Sequence, residues 1–220
     1  MNEKRYSKKY YLTVEGETEF WYFQWLQDKI NSSSSSQYTV SIKPTIQQNP
    51  LKYAKGLTKF TTPYLAHICD IESNEENHQQ KFLRVLDLLH QAKNVKKISY
   101  SLGYSNFTFE LWMVLHKKEC SSVFSNRTQY LSSINQIFNE HFENLDQYKH
   151  EKHFKRCLSK LCLEDVKEAI KRAKALMAQK EEDGFHQIEY KGFSYYKDNP
   201  ALTIWEIVFR IFNDCGLMND

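Results

Sequence analysis

Apolar positions along the chain recur with two different periods, and their alternation predicts an architecture. Residues 10–14 read as a first strand. Glu17 to about Ile30 reads as a helix in which Phe20, Phe23 and Leu26 recur at helical spacing beside Trp21 and Trp25. Tyr38 to Ile42 alternates as a second strand. Asn49 then caps a helix with Pro50 in its first turn, and Thr61-Thr62-Pro63 ends it. The apolar run Tyr64 to Cys69 predicts a buried third strand, and Ser73 to His78 a polar loop. Lys81 to Ala92 places Phe82, Val85, Leu86 and Leu89 on one helical face. Lys97 to Leu102 alternates as a fourth strand, and Gly103-Tyr104-Ser105-Asn106 reads as a turn into the helix FTFELWMVLH.

Strands alternating with helices up to His116 predict an α/β fold built of βα units, with a mainly parallel four-stranded sheet flanked by helices. Beyond that point the helical period dominates: Gln129 to Phe142, Leu163 to about Glu182, and Leu202 to Phe212 after Asn199-Pro200. Phe193 to Tyr196 is the strongest strand signal there. The expected division is an α/β domain over 1–118 and a C-terminal helical extension over 119–220, packed on it.

Composition narrows the function classes. A net charge of +3 over 220 residues excludes a globally basic binder, so a nucleic acid would need a local patch. Aromatic residues make up 15% of the chain, which suits core packing first and base stacking second. The five cysteines include no CxxC pair and read as reduced thiols. The five serines Ser32 to Ser36 form a low-complexity loop without chemistry. No apolar leader and no run of ~20 apolar residues is present, so a cytoplasmic protein without membrane contact is expected.

The candidate chemistry is acidic. Glu15 follows the first strand, and Asp70 and Glu72 follow the third, where open α/β sheets place their ligands. Residues two apart in an extended segment share a face at roughly 6.5–7 Å, so Asp70 and Glu72 can address one pocket. Clustered carboxylates repel one another unless a cation lies between them, and hard oxygens select Mg²⁺ or Mn²⁺. Such an ion suits phosphodiester cleavage. Glu17 and Glu19 read as acids of a helix's first turn, with Glu19 also a possible contact. Glu110 reads equally as dipole compensation or as a further metal or substrate contact. Asn106 reads as a helix N-cap that can also bond a phosphate, Trp112 as core, and His116 as a structural hydrogen-bonding residue. Tyr148 to Arg156 (YKHEKHFKR) is either a solvated charge run or a phosphate-contacting patch, with Lys149 and Lys152 as the nucleic-acid contacts. His150 and His153, three apart, could ligate a metal on a helix, but no third ligand is evident.

These motifs together resemble the RloB-like family of the Toprim superfamily. Its strand running into Glu-Gly-x-x-Thr-Glu is similar to Val14-Glu15-Gly16-Glu17-Thr18-Glu19, with one residue fewer, and Tyr22-Phe23 matches the aromatic pair that follows. Its Asp-x-Asp resembles Asp70-Ile71-Glu72. Its Ser-Asn-Pro-x-Phe-Glu-Leu-Trp-x-x-x-His resembles Ser105 to Trp112 and His116, with Phe107 in the proline's place. Tyr148-Lys149, Ala169-Ile170 with Ala173, and Asn199-Pro200 with Thr203 fit the remainder. The resemblance implies a Toprim fold, Glu15 as general acid/base or metal ligand, and Asp70 and Glu72 as ligands of Mg²⁺ or Mn²⁺. It also implies a nuclease cleaving DNA or RNA as the effector of an antiphage, abortive-infection system. An AAA or ABC-type ATPase encoded nearby would then be the partner, since the chain lacks a GxxxxGK[ST] loop of its own. A non-catalytic Toprim-fold module that binds the ATPase or a nucleic acid, with a degenerate metal site, is the alternative.

Overall fold

The computed structural model describes residues 6–57, 64–96 and 98–218. The parallel strands are β1 (Ser7–Val14), β2 (Thr39–Ile46), β3 (Tyr64–Asp70) and β4 (Tyr100–Asn106). A separate hairpin pairs β5 (Ile188–Tyr190) with β6 (Phe193–Tyr195), and β7 (Ala201–Leu202) lies antiparallel against the end of β4. The main sheet runs in the order β2-β1-β3-β4-β7. Among the described residues it therefore has five strands where four were expected. Two residues are too few for alternation to show in a sequence. The β7 pairing is extended by Thr203, whose N–H donates to the Tyr104 carbonyl at 2.9 Å and whose hydroxyl donates to the Leu102 carbonyl at 3.1 Å.

Helices cover both faces of the sheet, which is why β3 is apolar without interruption from Leu65 to Cys69 apart from His67. On one face α1 (Glu17–Ser32) buries Trp21, Tyr22, Phe23, Leu26 and Ile30 against Leu12, Val14, Ala66 and Ile68. On the other, α2 (Pro50–Gly56) and α3 (Glu76–Lys96) pack with β5 and β6 over Leu65, Cys69 and Tyr104. Asn49 caps α2 as expected, accepting from the Lys52 N–H at 2.9 Å. Thr61-Thr62-Pro63, expected to end that helix, and Lys97 lie outside the described residues. The α3 helix starts at Glu76, inside the expected polar loop, because its first turns carry no apolar stripe to announce them.

Gly103 to Asn106 is strand, not turn. A Cβ at Gly103 would lie 2.5 Å from Ile207 Cδ1, so the glycine serves the close approach of α9 (Ile204–Asp214) to β4. Between them lie α4 (Glu110–Leu115), α5 (Tyr130–Phe138), α6 (Leu145–Lys149), α7 (Glu151–Ser159) and α8 (Leu163–Glu182). The α5 helix ends short of Phe142 because Asn139 adopts a left-handed conformation at φ 49°. Residues 119–218 are thus mainly helical and share one apolar core with β1 and α1. Phe154 of α7 meets Trp21 at 6.0 Å between ring centroids and Tyr148 at 5.5 Å.

Candidate active site

The carboxyl ends of β1 and β3 lie side by side, Val14 in register with Ile68. This places Glu15 beside Asp70, whose backbone N–H donates to Glu15 Oε2 at 3.1 Å. Gly16 follows with an extended backbone (φ −139°), so no special turn conformation calls for glycine here. What calls for it is space: a Cβ on Gly16 would sit 3.1 Å from Glu19 Oε2. The Glu19 carboxylate folds back over Gly16 and accepts from Thr18 Oγ1 at 3.0 Å. An acid that reads as a solvated helix-start residue is therefore buried, at 4% exposure.

Glu110 enters from α4 and is fully buried. Thr108 Oγ1 donates to its Oε2, and its Oε1 lies 3.1 Å from Lys149 Nζ. Lys149 ends α6, so the 119–220 segment supplies a charged residue to the site. Glu15, Glu19, Gln48, Asp70, Glu72, Lys81 and Lys149 all line one open depression of about 290 Å³.

Electrostatics separates these acids. Burial, with the neighbouring charges of Glu19 and Glu72, pushes the Glu15 carboxyl up to about 7, against the opposing Asp70 N–H and Lys81. Burial and then the charges of Glu19 and Glu15 push Asp70 well above the usual carboxylate range. Burial also raises Glu19, although its own backbone N–H, Lys149 and Thr18 oppose the shift. Burial alone would lower Lys149, but the charges of Glu110, Asp70 and Glu19 outweigh it and hold the ammonium above its ordinary value.

Glu72 behaves differently. It has left the strand, with φ 68°, so the alternation that was to align it with Asp70 no longer applies. Its carboxylate is taken up by Lys81, by His78 Nε2 at 3.4 Å and, at the limit of an ion pair, by Arg127 at 4.0 Å. Burial would raise it, yet the Lys81 hydrogen bond and the surrounding positive charge hold it below the usual range.

Asn106 is not a helix cap: it closes β4, and its amide donates to the carbonyls of Tyr196 at 3.2 Å and Lys197 at 2.7 Å. Phe109 occupies the cap position of α4 instead, without a side-chain bond. His116 is structural: Nδ1–H donates to the Trp112 carbonyl at 2.9 Å, leaving Nε2 to accept from Tyr22 Oη at 3.1 Å. Trp112 is core, with 0% exposure. His150 and His153 do not share one helix, since His150 lies at the α6–α7 junction and His153 bonds the Gln147 carbonyl. Lys152 is exposed on α7. Lys81 has no counterpart in the sequence reading, because a lysine nine residues beyond Glu72 gives no sign that the intervening loop folds back.

As a metal site the donors fit in kind: they are hard oxygens, and Asp70 Oδ1 is a buried acceptor without a hydrogen-bond partner. Among the described residues, no three His, Cys, Asp or Glu side chains converge closely enough to hold an ion as they stand. No described helix is long and apolar enough to cross a membrane.

A family model described as RloB-like protein matches residues 10–211, and the chain belongs to that family. No curated protein and no solved structure matches it.

Proposed function

We propose that this RloB-like chain is a Mg²⁺- or Mn²⁺-dependent nuclease of Toprim type, cleaving phosphodiester bonds of DNA or RNA. The observation that carries this reading is the meeting of Glu15 and Asp70 at adjacent parallel strand ends, with Glu19 and Glu110 behind them. Acids crowded in this way cost stability, and they are understandable if their charge serves a cation. Asp70 and Glu19 are the residues to hold it, with Glu110 reachable once Lys149 moves. When bound, the ion supplies Lewis-acid activation of a phosphate oxygen and of water. Glu15, with a carboxyl near 7, is poised at neutral pH to accept a proton from an attacking water or return one to a leaving oxygen. The half-exposed Arg127, 4.0 Å from Glu72, stands beside this region as a backbone contact for a nucleic acid. An antiphage role alongside an AAA or ABC-type ATPase completes the proposal and rests on the family resemblance.

The test is incubation of labelled single-stranded DNA and RNA with the purified protein in Mg²⁺, in Mn²⁺ and in EDTA. Metal-dependent fragments are expected, and equal cleavage in EDTA would remove the mechanism. One observation favours a non-catalytic module instead: Glu72, the second acid of the paired motif, is already ion-paired with Lys81. Saturable nucleic-acid binding without cleavage under every metal condition would support that alternative.

A further inference from the structure

The acidic pocket already contains two ammonium groups: Lys81 is taken up by Glu72, and Lys149 is paired with Glu110. Lys149 Nζ stands 3.1 Å from Glu110 Oε1, and its side chain, one-third exposed, reaches in from the last residue of α6. Glu110 has no exposed side-chain surface, so water cannot solvate its charge in place of the ammonium. Asp70 Oδ1 is buried close by without a donor, and Glu15 and Glu19 line the same depression. The α6 helix is only five residues long and breaks at His150, where the backbone turns extended. The Lys149 ammonium thus stands among carboxylates that could otherwise converge on an ion.

We infer that Lys149 is a tethered counter-ion that competes with a divalent metal for the Glu19–Asp70–Glu110 carboxylates and must withdraw for the metal to enter. This rests on the metal-dependent reading above and adds a regulatory step to it. The resting protein is held in a low-affinity state, and whatever draws Lys149 outward loads the site. Removing one unit charge about 4 Å from the ion, at an effective dielectric of about 20, corresponds to well over tenfold in affinity.

The experiment is a Mn²⁺ titration of the full chain followed by the electron paramagnetic resonance signal of free Mn²⁺. It uses the wild type, Lys149→Met, Lys149→Arg, and Lys152→Met as a surface control. Lys149→Met is expected to bind at least about tenfold tighter than wild type, while Lys149→Arg and Lys152→Met stay near it. Equal or weaker binding by Lys149→Met, with the wild type still binding, overturns the counter-ion and leaves the metal site standing. Absence of binding in all four overturns both. Circular dichroism melts of each variant show whether a loss reflects unfolding, and Lys149→Gln, which keeps a hydrogen-bond donor for Glu110 without the charge, then replaces Lys149→Met. Tighter binding by Lys149→Gln than by wild type supports the counter-ion, and equal or weaker binding overturns it.

Discussion

The backbone N–H of Asp70 donates to the Glu15 carboxylate at 3.1 Å, joining the ends of two neighbouring parallel strands. One acid is thereby fixed by the main chain that carries the other. Their separation depends on strand register, which the parallel pairing of residues 10–14 with residues 64–68 enforces.

Crowded acids should weaken the fold that carries them. Asp70→Asn removes an ionisable group whose charged form is opposed by burial and then by Glu19 and Glu15, while keeping the shape of the side chain. The variant is expected to be more stable than wild type by ~1 kcal/mol in metal-free buffer. Urea melts check this, and a clear loss of stability would mean that Asp70 is a structural acceptor and not a strained site residue.

Glu72 should matter less than the paired motif suggests. Its carboxylate is held by Lys81 and His78, so Glu72→Gln is expected to lower metal-dependent cleavage less than about tenfold. A loss as large as that of an Asp70 variant would show that the ion draws Glu72 away from Lys81.

The contact between α9 and β4 should be intolerant of a methyl group. Gly103→Ala places a carbon 2.5 Å from Ile207 Cδ1 and is expected to cost about 1–3 kcal/mol. Ile207→Val deletes that atom, so the double variant should recover part of the loss, read as a coupling energy in a double-mutant cycle.

Stability should fall in mild acid through the buried histidines. Burial lowers His116 to about 4, and His67, bonded to Thr13 Oγ1 at 2.8 Å, to about 3. Both are neutral in the native state, and the unfolded chain takes up their protons first. The stability each confers is therefore complete above about pH 6.5, falls as pH drops below that value, and is lost for His116 near pH 4. Between those limits the wild type should lose about 3 kcal/mol more than His116→Gln. Parallel pH profiles for the two proteins would contradict this assignment.

The sequence carried the parallel strands because each is a long apolar or alternating run, and it carried α8 because acids open and bases close a regular amphipathic stretch. The chain ends that shape the site were less legible. Glu15 and Asp70 could be paired because strand ends share an edge by rule. Glu19 read first as a helix-start acid and Glu110 equally as one or as a site contact, since burial at those positions depends on Gly16 and on α6, which are silent in a pattern of hydrophobicity. Lys149 was read as a surface contact for the same reason: only the fold of 119–220 shows that α6 aims it inward. The strand β7 was hidden by its shortness, and Glu72 by a single left-handed residue that broke the alternation.

The most direct measurement of the central claim is a comparison of wild type with Asp70→Asn in a single cleavage assay, using end-labelled DNA and RNA in excess Mn²⁺. A drop of about a hundredfold or more in rate, with both proteins folded to the same extent, is the expected result. Equal rates for the two proteins, or cleavage that persists in EDTA, would contradict it.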